Sequence, residues 1–392
     1  MKKLQRWIEN ILYIDTLKPA ENKQYSLVGL TSSAKAMMLR TLYQKTDRSV
    51  IVLVPNSWHG QKLYDDLSAF EQDVYLYPSE ERLASTYAAS SYELRAERMD
   101  VLEKWTRQEA GIYIVPLFSM LQPHTPKSIW QRAIRTLRTG EEIDVDELLR
   151  HFVSLGYTKQ PMTTIPGEFS VRGGIIDIYP MTAELPVRIE LFDVEIDSIR
   201  TFSAEDQRTI DAIEEVRITP TYEVLFSESM HQQIVTTSKR ALAERLSKMS
   251  DIPAKETLQQ TVGSEIAEWS EGMIPTGWQK YVPYVSEHVV PLLDYFPKDA
   301  LLAIDEMVRI DEAADVLKQE EADWSLQMFE EGRRIDSSSV IYPIEDVLAR
   351  WNGPSYYFSL FPTKRTYDVE IDIACKTVQP FFGQMELLQT EM

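Results

Sequence analysis

Two constellations of residues in this sequence are of types that could do chemistry. The first is Gly29-Leu-Thr-Ser-Ser-Ala-Lys35-Ala36, which follows an apolar run and opens a helical one. In that setting backbone amides and a lysine can cradle phosphates. A working loop of this kind needs glycine before the lysine, so that the backbone can close on the phosphates, and Ser or Thr after it to hold Mg²⁺. Those two positions carry Ala34 and Ala36. The natural complement is an acidic pair at the end of a buried strand, placed to hold the metal, and Ile304-Asp305-Glu306 fits that description. Without the hydroxyl, the set Gly29, Lys35, Asp305 and Glu306 reads as a vestigial nucleotide site, with an exposed acidic turn as the plainer alternative for the last two. No catalytic residue, cofactor or ATP hydrolysis is expected, and Lys35→Ala is expected to disturb little.

The second constellation contains no reacting group. Gly167-Glu-Phe-Ser-Val-Arg-Gly-Gly-Ile-Ile-Asp-Ile-Tyr-Pro180 is followed by Pro186-Val-Arg-Ile-Glu-Leu-Phe-Asp193. Along a strand over 187–192, the two-residue period puts Val187, Ile189 and Leu191 on one face and Arg188, Glu190 and Phe192 on the other. The aliphatic face must be core. Phe192 and Arg188 are then left on an outer face, where Arg172, just before the Gly-Gly turn, can join them. Arginine beside an aromatic is a pairing enriched at binding hot spots; a solvated strand face with an incidental Phe is the alternative that strand parity leaves open. The five histidines (His59, His124, His151, His231, His288) have no ligand spacing, so no metal site is expected. The one cysteine, Cys375, excludes an intramolecular disulfide and suits a reducing compartment.

These residues must be positioned by two kinds of sheet. Residues 25–29, 50–54, 74–77 and 111–115 are short apolar runs, continuous rather than alternating, separated by helical spacing over 33–44, 58–70 and 93–105. That pattern predicts a parallel α/β sheet covered on both faces. After a Pro, Ser and Gln-rich boundary, Asp144 with Glu147 predicts a helix start, with Leu148, Leu149, Phe152 and Val153 on its apolar face and Gly156 at its end. Alternating segments at 169–171, 175–179 and 187–192 then predict an α+β unit with an antiparallel sheet. A helical stripe follows at Val235, Leu242, Leu246 and Met249, and the run over 301–304 is expected to rejoin the first sheet. The predicted organisation is a parallel-sheet domain over 1–118, an inserted α+β domain over 119–212, completion of the first domain over 213–368, and the start of a following domain or linker over 369–392.

Composition limits the partners. The 392 residues carry a net charge of −20, which disfavours a dominant nucleic-acid groove and suits a basic protein surface instead. No apolar run approaches the roughly 20 residues of a membrane span, and no signal peptide is evident, so a cytoplasmic location is expected. The final residues stop in a helical pattern without a cap, from which the natural protein is expected to continue.

The stretch over 167–180, with its Gly-Glu-Phe, Arg-Gly-Gly, Asp-Ile and Pro, resembles the inserted domain shared by UvrB and the transcription-repair coupling factors. The resemblance extends to Phe202-Ser-Ala-Glu-Asp-Gln-Arg208, Val52-Leu-Val-Pro-Asn56, Gln61-Lys-Leu-Tyr-Asp-Asp66, Tyr77-Pro-Ser79, Glu93-Leu-Arg-Ala-Glu-Arg98 and Ala303-Ile-Asp-Glu306. It covers nearly the whole chain. UvrB keeps an intact phosphate loop and a long tyrosine-rich hairpin that clamps DNA, for which there is no room between Tyr77 and Gly111. Both departures point to the coupling factors.

The resemblance implies a UvrB-like module with a degenerate nucleotide-binding domain and an inserted domain that binds UvrA, with Arg172, Arg188 and Phe192 at the contact positions. The tail from Val378-Gln-Pro-Phe-Phe382 onward resembles the beginning of the family's next domain, which implies that RNA polymerase and DNA are engaged only by domains beyond residue 392, including an ATP-dependent translocase. Docking of the same surface on the chain's own C-terminal regions would hold that motor inactive. The alternative is a divergent UvrB-like, nucleotide-dependent repair protein. Truncating Arg172, Arg188 or Phe192 is expected to leave stability close to wild type.

Overall fold

A computed structural model describes residues 18–79 and 91–373. Cys375 and the stretch beginning at Val378 lie outside the described residues. The first segment supplies β1 (Gln24–Val28), β2 (Val50–Val54), β3 (Val74–Leu76) and β4 (Ile112–Pro116). The chain leaves through β5 (Pro123–His124) and β6 (Arg135–Arg138). It then builds a second sheet from β7 (Thr158–Lys159), β8 (Glu168–Arg172), β9 (Ile175–Ile178), β10 (Val187–Phe192), β11 (Glu195–Phe202) and β12 (Thr209–Ile213). It returns through β13 (Glu215–Ile218), paired antiparallel with β6, and β14 (Val290–Pro291), paired with β5. Exit and return therefore run side by side. β15 (Leu301–Asp305), β16 (Ser355–Ser359) and β17 (Val369–Asp372) complete the first sheet, ordered β17-β1-β16-β15-β2-β4-β3 with every pair parallel. The fold is the expected one, a parallel sheet built from two chain segments with an α+β unit inserted.

The two-residue period sorts the central strands onto two cores. Val50, Val52, Val54, Ile112, Ile114, Leu301 and Ala303 face one side, where α1 (Ser32–Thr46) and α2 (Ser57–Ser68) lay down Met38, Leu39, Leu42, Leu63 and Leu67. Ile51, Leu53, Tyr113, Val115, Leu302 and Ile304 face the other side. There α3 (Tyr92–Thr106) contributes Met99, Leu102 and Trp105. A parallel strand covered on both faces has no polar side to show, which is why all five residues of β2 are buried. β17 corrects one boundary. Residues 369–372, expected to open a following domain or linker, pair with β1 as an edge strand of this sheet.

Two short helices, α4 (Leu117–Leu121) and α5 (Lys127–Ala133), lead into the inserted unit. Its helix α6 (Val145–Ser154) starts where Asp144 accepts a hydrogen bond from the Glu147 amide, and packs Leu148 and Phe152 on the sheet. Val153, expected on that apolar face, is exposed instead. Phe169, Ile176, Ile178, Val187, Ile189, Ile196 and Ile199 complete this core. After β13 the chain forms an antiparallel pair, α7 (Glu228–Lys248) and α8 (Ile252–Ser270), around Ile234, Trp269, Trp278 and Tyr281. The long α9 (Met307–Glu330) then follows β15 directly.

Candidate functional site

On the inserted sheet, register decides which residues meet. Ser170 lies opposite Asp177, and Asp177 opposite Arg188, so the three share one rung across β8, β9 and β10 on the face away from the core. Arg188 donates from Nε to Asp177 Oδ1 at 2.7 Å and from Nη2 to Oδ2 at 2.9 Å. Arg172, two residues nearer the Gly173-Gly174 turn on the same face, donates from Nη2 to the same Oδ2 at 2.6 Å. One carboxylate thus holds two guanidinium groups. The hydrogen bonds that Arg188 donates to Asp177 raise its pKa above the usual value.

The three residues singled out from the sequence share a face but not an environment. Phe192 is 79% exposed at the end of β10, and the Arg172 side chain is half-exposed at 51%. The Arg188 side chain is only 16% exposed. The Phe202 ring lies 4.6 Å from its guanidinium, and Gln207 accepts from it through both its backbone carbonyl and its side-chain oxygen. The outer face, expected to present all three residues as one exposed patch, is therefore covered at the Arg188 end and open at the Phe192 end. Asp177, with no exposed surface, was not singled out. Its signal was one acid inside the apolar run Ile-Ile-Asp-Ile, opposite an arginine.

The second set lies at the carboxyl edge of the parallel sheet. Lys35 Nζ donates to Asp305 Oδ1 at 2.6 Å and to Glu306 Oε1 at 2.7 Å, with all three side chains largely buried. The lysine and the acidic pair that would share a nucleotide and its metal are bound to each other. Gly29 adopts φ +87°, a left-handed conformation, and its amide donates to Ser359 O at 2.8 Å. Ile373, which donates to Val28 O at 2.7 Å, has its carbonyl where a side chain on Gly29 would stand. Ala36 is fully buried in the core beneath α1. Beside this set, His59 Nε2 lies 3.2 Å from Arg309 Nη1, and burial lowers its pKa. Among the described residues no group of His, Cys, Asp and Glu could hold a metal ion, and no helix is long and apolar enough to cross a membrane.

Residues 136–223, which contain Arg172, Asp177, Arg188 and Phe192, match the family model of the UvrB interaction domain. The chain is 34% identical over 376 residues to the transcription-repair-coupling factor of Bacillus subtilis (strain 168), covering 94% of this chain and 32% of that protein. It is 34% identical over 370 residues to the transcription-repair-coupling factor of Staphylococcus aureus (strain MRSA252), covering 93% and 31%. It is 33% identical over 394 residues to that of Staphylococcus haemolyticus (strain JCSC1435), covering 98% and 33%. The chain spans about a third of the length of these curated relatives.

Proposed function

This chain is homologous, over nearly its whole length, to a part of the transcription-repair-coupling factors, and on that premise we propose that it is a recognition module that binds UvrA through its inserted unit. By that contact it brings excision repair to RNA polymerase stalled at damaged DNA. Polymerase binding, DNA binding and ATP-driven translocation belong to other parts of the longer protein. No bond is made or broken within this module. Recognition combines an aromatic anchor, Phe192, with the positive charge of the Arg172 and Arg188 pair.

The observation that carries this function is the exposure of Phe192, 79%, at the end of the strand whose Arg188 shares one acid with Arg172, within the stretch matching the UvrB interaction domain. A large aromatic left in water on a folded surface is the kind of group that central interface pockets take up. A non-catalytic role is supported by the Lys35 ion pairs with Asp305 and Glu306, which engage the cation a triphosphate would need. The test is titration of purified UvrA with the chain and with Phe192→Ala and Arg172→Ala. Each substitution is expected to weaken binding by at least about 30-fold, which corresponds to about 2 kcal/mol. Binding within about twofold of wild type for both would overturn the assignment.

A further inference from the structure

Asp177 has no exposed surface, yet both of its carboxylate oxygens are engaged by arginines, one of which stands half in water. Resting on the UvrA-binding function above, we propose that Asp177 is the positioning residue of that face, fixing Arg172 in its binding orientation and tying it to Arg188 beneath.

A buried carboxylate is tolerated only when paired and hydrogen-bonded, and here the pairing is set by strand register rather than by side-chain chance. Arg188 is the fixed member. It is gripped by two bonds to Asp177, by the Phe202 ring and by Gln207. Arg172 is the presented member, tied by one bond from Nη2, with the rest of its guanidinium available for a partner. A free surface arginine loses rotamer freedom when a partner binds it, and anchoring one nitrogen in advance removes much of that loss. Two guanidinium groups on one carboxylate also leave a net positive charge at the mouth of the site. Asp177 touches nothing outside the protein and acts through Arg172.

The test is a double-mutant cycle in the full chain, with purified UvrA as the probe and melting temperature measured alongside. Arg172→Ala in the native background is expected to weaken UvrA binding by at least about 30-fold, and Asp177→Asn alone by about tenfold. In the Asp177→Asn background, Arg172→Ala is expected to cost less than about threefold further, because the arginine is no longer aimed. Ile189→Val, which loosens the core of the same unit without touching the rung, must leave the full Arg172→Ala effect in place. Should Asp177→Asn not fold, Asp177→Glu displaces the carboxylate by one methylene and enters the same cycle with the same expectation. A full Arg172→Ala effect that persists unchanged in the Asp177→Asn background overturns the positioning role and leaves the UvrA-binding function standing. No Arg172→Ala effect in the native background also overturns the positioning role, and the UvrA-binding function falls with it only if Phe192→Ala is silent as well.

Discussion

Arg188 lies over the Phe202 ring with its guanidinium on Asp177, whereas Arg172 reaches the same carboxylate from the surface and Phe192 stands in water at the strand end. Stability and binding therefore divide between them. Arg188→Ala leaves a fully buried acid with a single, half-exposed partner, and is expected to lower stability by about 3 kcal/mol, as loss of one member of a buried pair does. This corrects the expectation that all three truncations are silent, which followed from strand parity without the covering loop. Phe192→Ala and Arg172→Ala should stay within about 0.5 kcal/mol of wild type, and Ile189→Ala, deleting fully buried methyls, should cost about 2 to 4 kcal/mol. Urea denaturation of the four variants checks the ranking; Arg188→Ala as stable as wild type would show the rung to be unimportant. Lys35→Ala is corrected in the same way. It leaves Asp305 and Glu306 close together without their shared cation, and a loss of about 2 kcal/mol is expected, read from the same unfolding curves.

Where strands and helices join the two units, buried polar contacts are set among the apolar ones. Tyr77, just past β3, lies with its hydroxyl 2.8 Å from His124 Nε2 on β5, while His124 Nδ1 is 2.9 Å from Gln122 O. Arg98 on α3 pairs with Glu223 on the returning chain, and Tyr295 donates to the Thr125 carbonyl at 2.5 Å. Burial pushes the His124 pKa down to about 4, from 6.5 in the unfolded chain. Between those values the unfolded state takes up the proton first, so stability falls as pH drops from about 6.5 to about 4, by about 3 kcal/mol at most from this group. His124→Gln should flatten that slope; an unchanged slope would assign it to other groups. The sequence made the parallel strands legible because strands buried on both faces are written as unbroken apolar runs, as in residues 50–54 and 301–304. It did not reveal β17, whose four residues alternate in exposure and are placed by pairing with β1. Nor did it show the cover over Arg188, since Gln207 reaches it from a turn five residues past β11, a contact with no periodicity to betray it.

At the scale of the whole molecule, charge and the two candidate sites point the same way. A net charge of −20 leaves little to displace counterions, so duplex DNA affinity at about 150 mM salt is expected to be weak and steeply salt-dependent. Fluorescence anisotropy with a labelled duplex checks this, and tight binding at that salt would expose a local basic patch. ATP should neither bind with Mg²⁺ and Lys35 dependence at millimolar levels nor be hydrolysed, since Lys35 is held by Asp305 and Glu306 and Ala36 is buried in the core. The most direct test of the recruiting function is calorimetric titration of purified UvrA into the full chain, wild type beside Phe192→Ala, with both melting curves recorded. The expected result is saturable one-site binding by wild type and a loss of at least about 30-fold for Phe192→Ala at unchanged melting temperature. No binding by the folded wild-type chain, or equal binding by both, would contradict it.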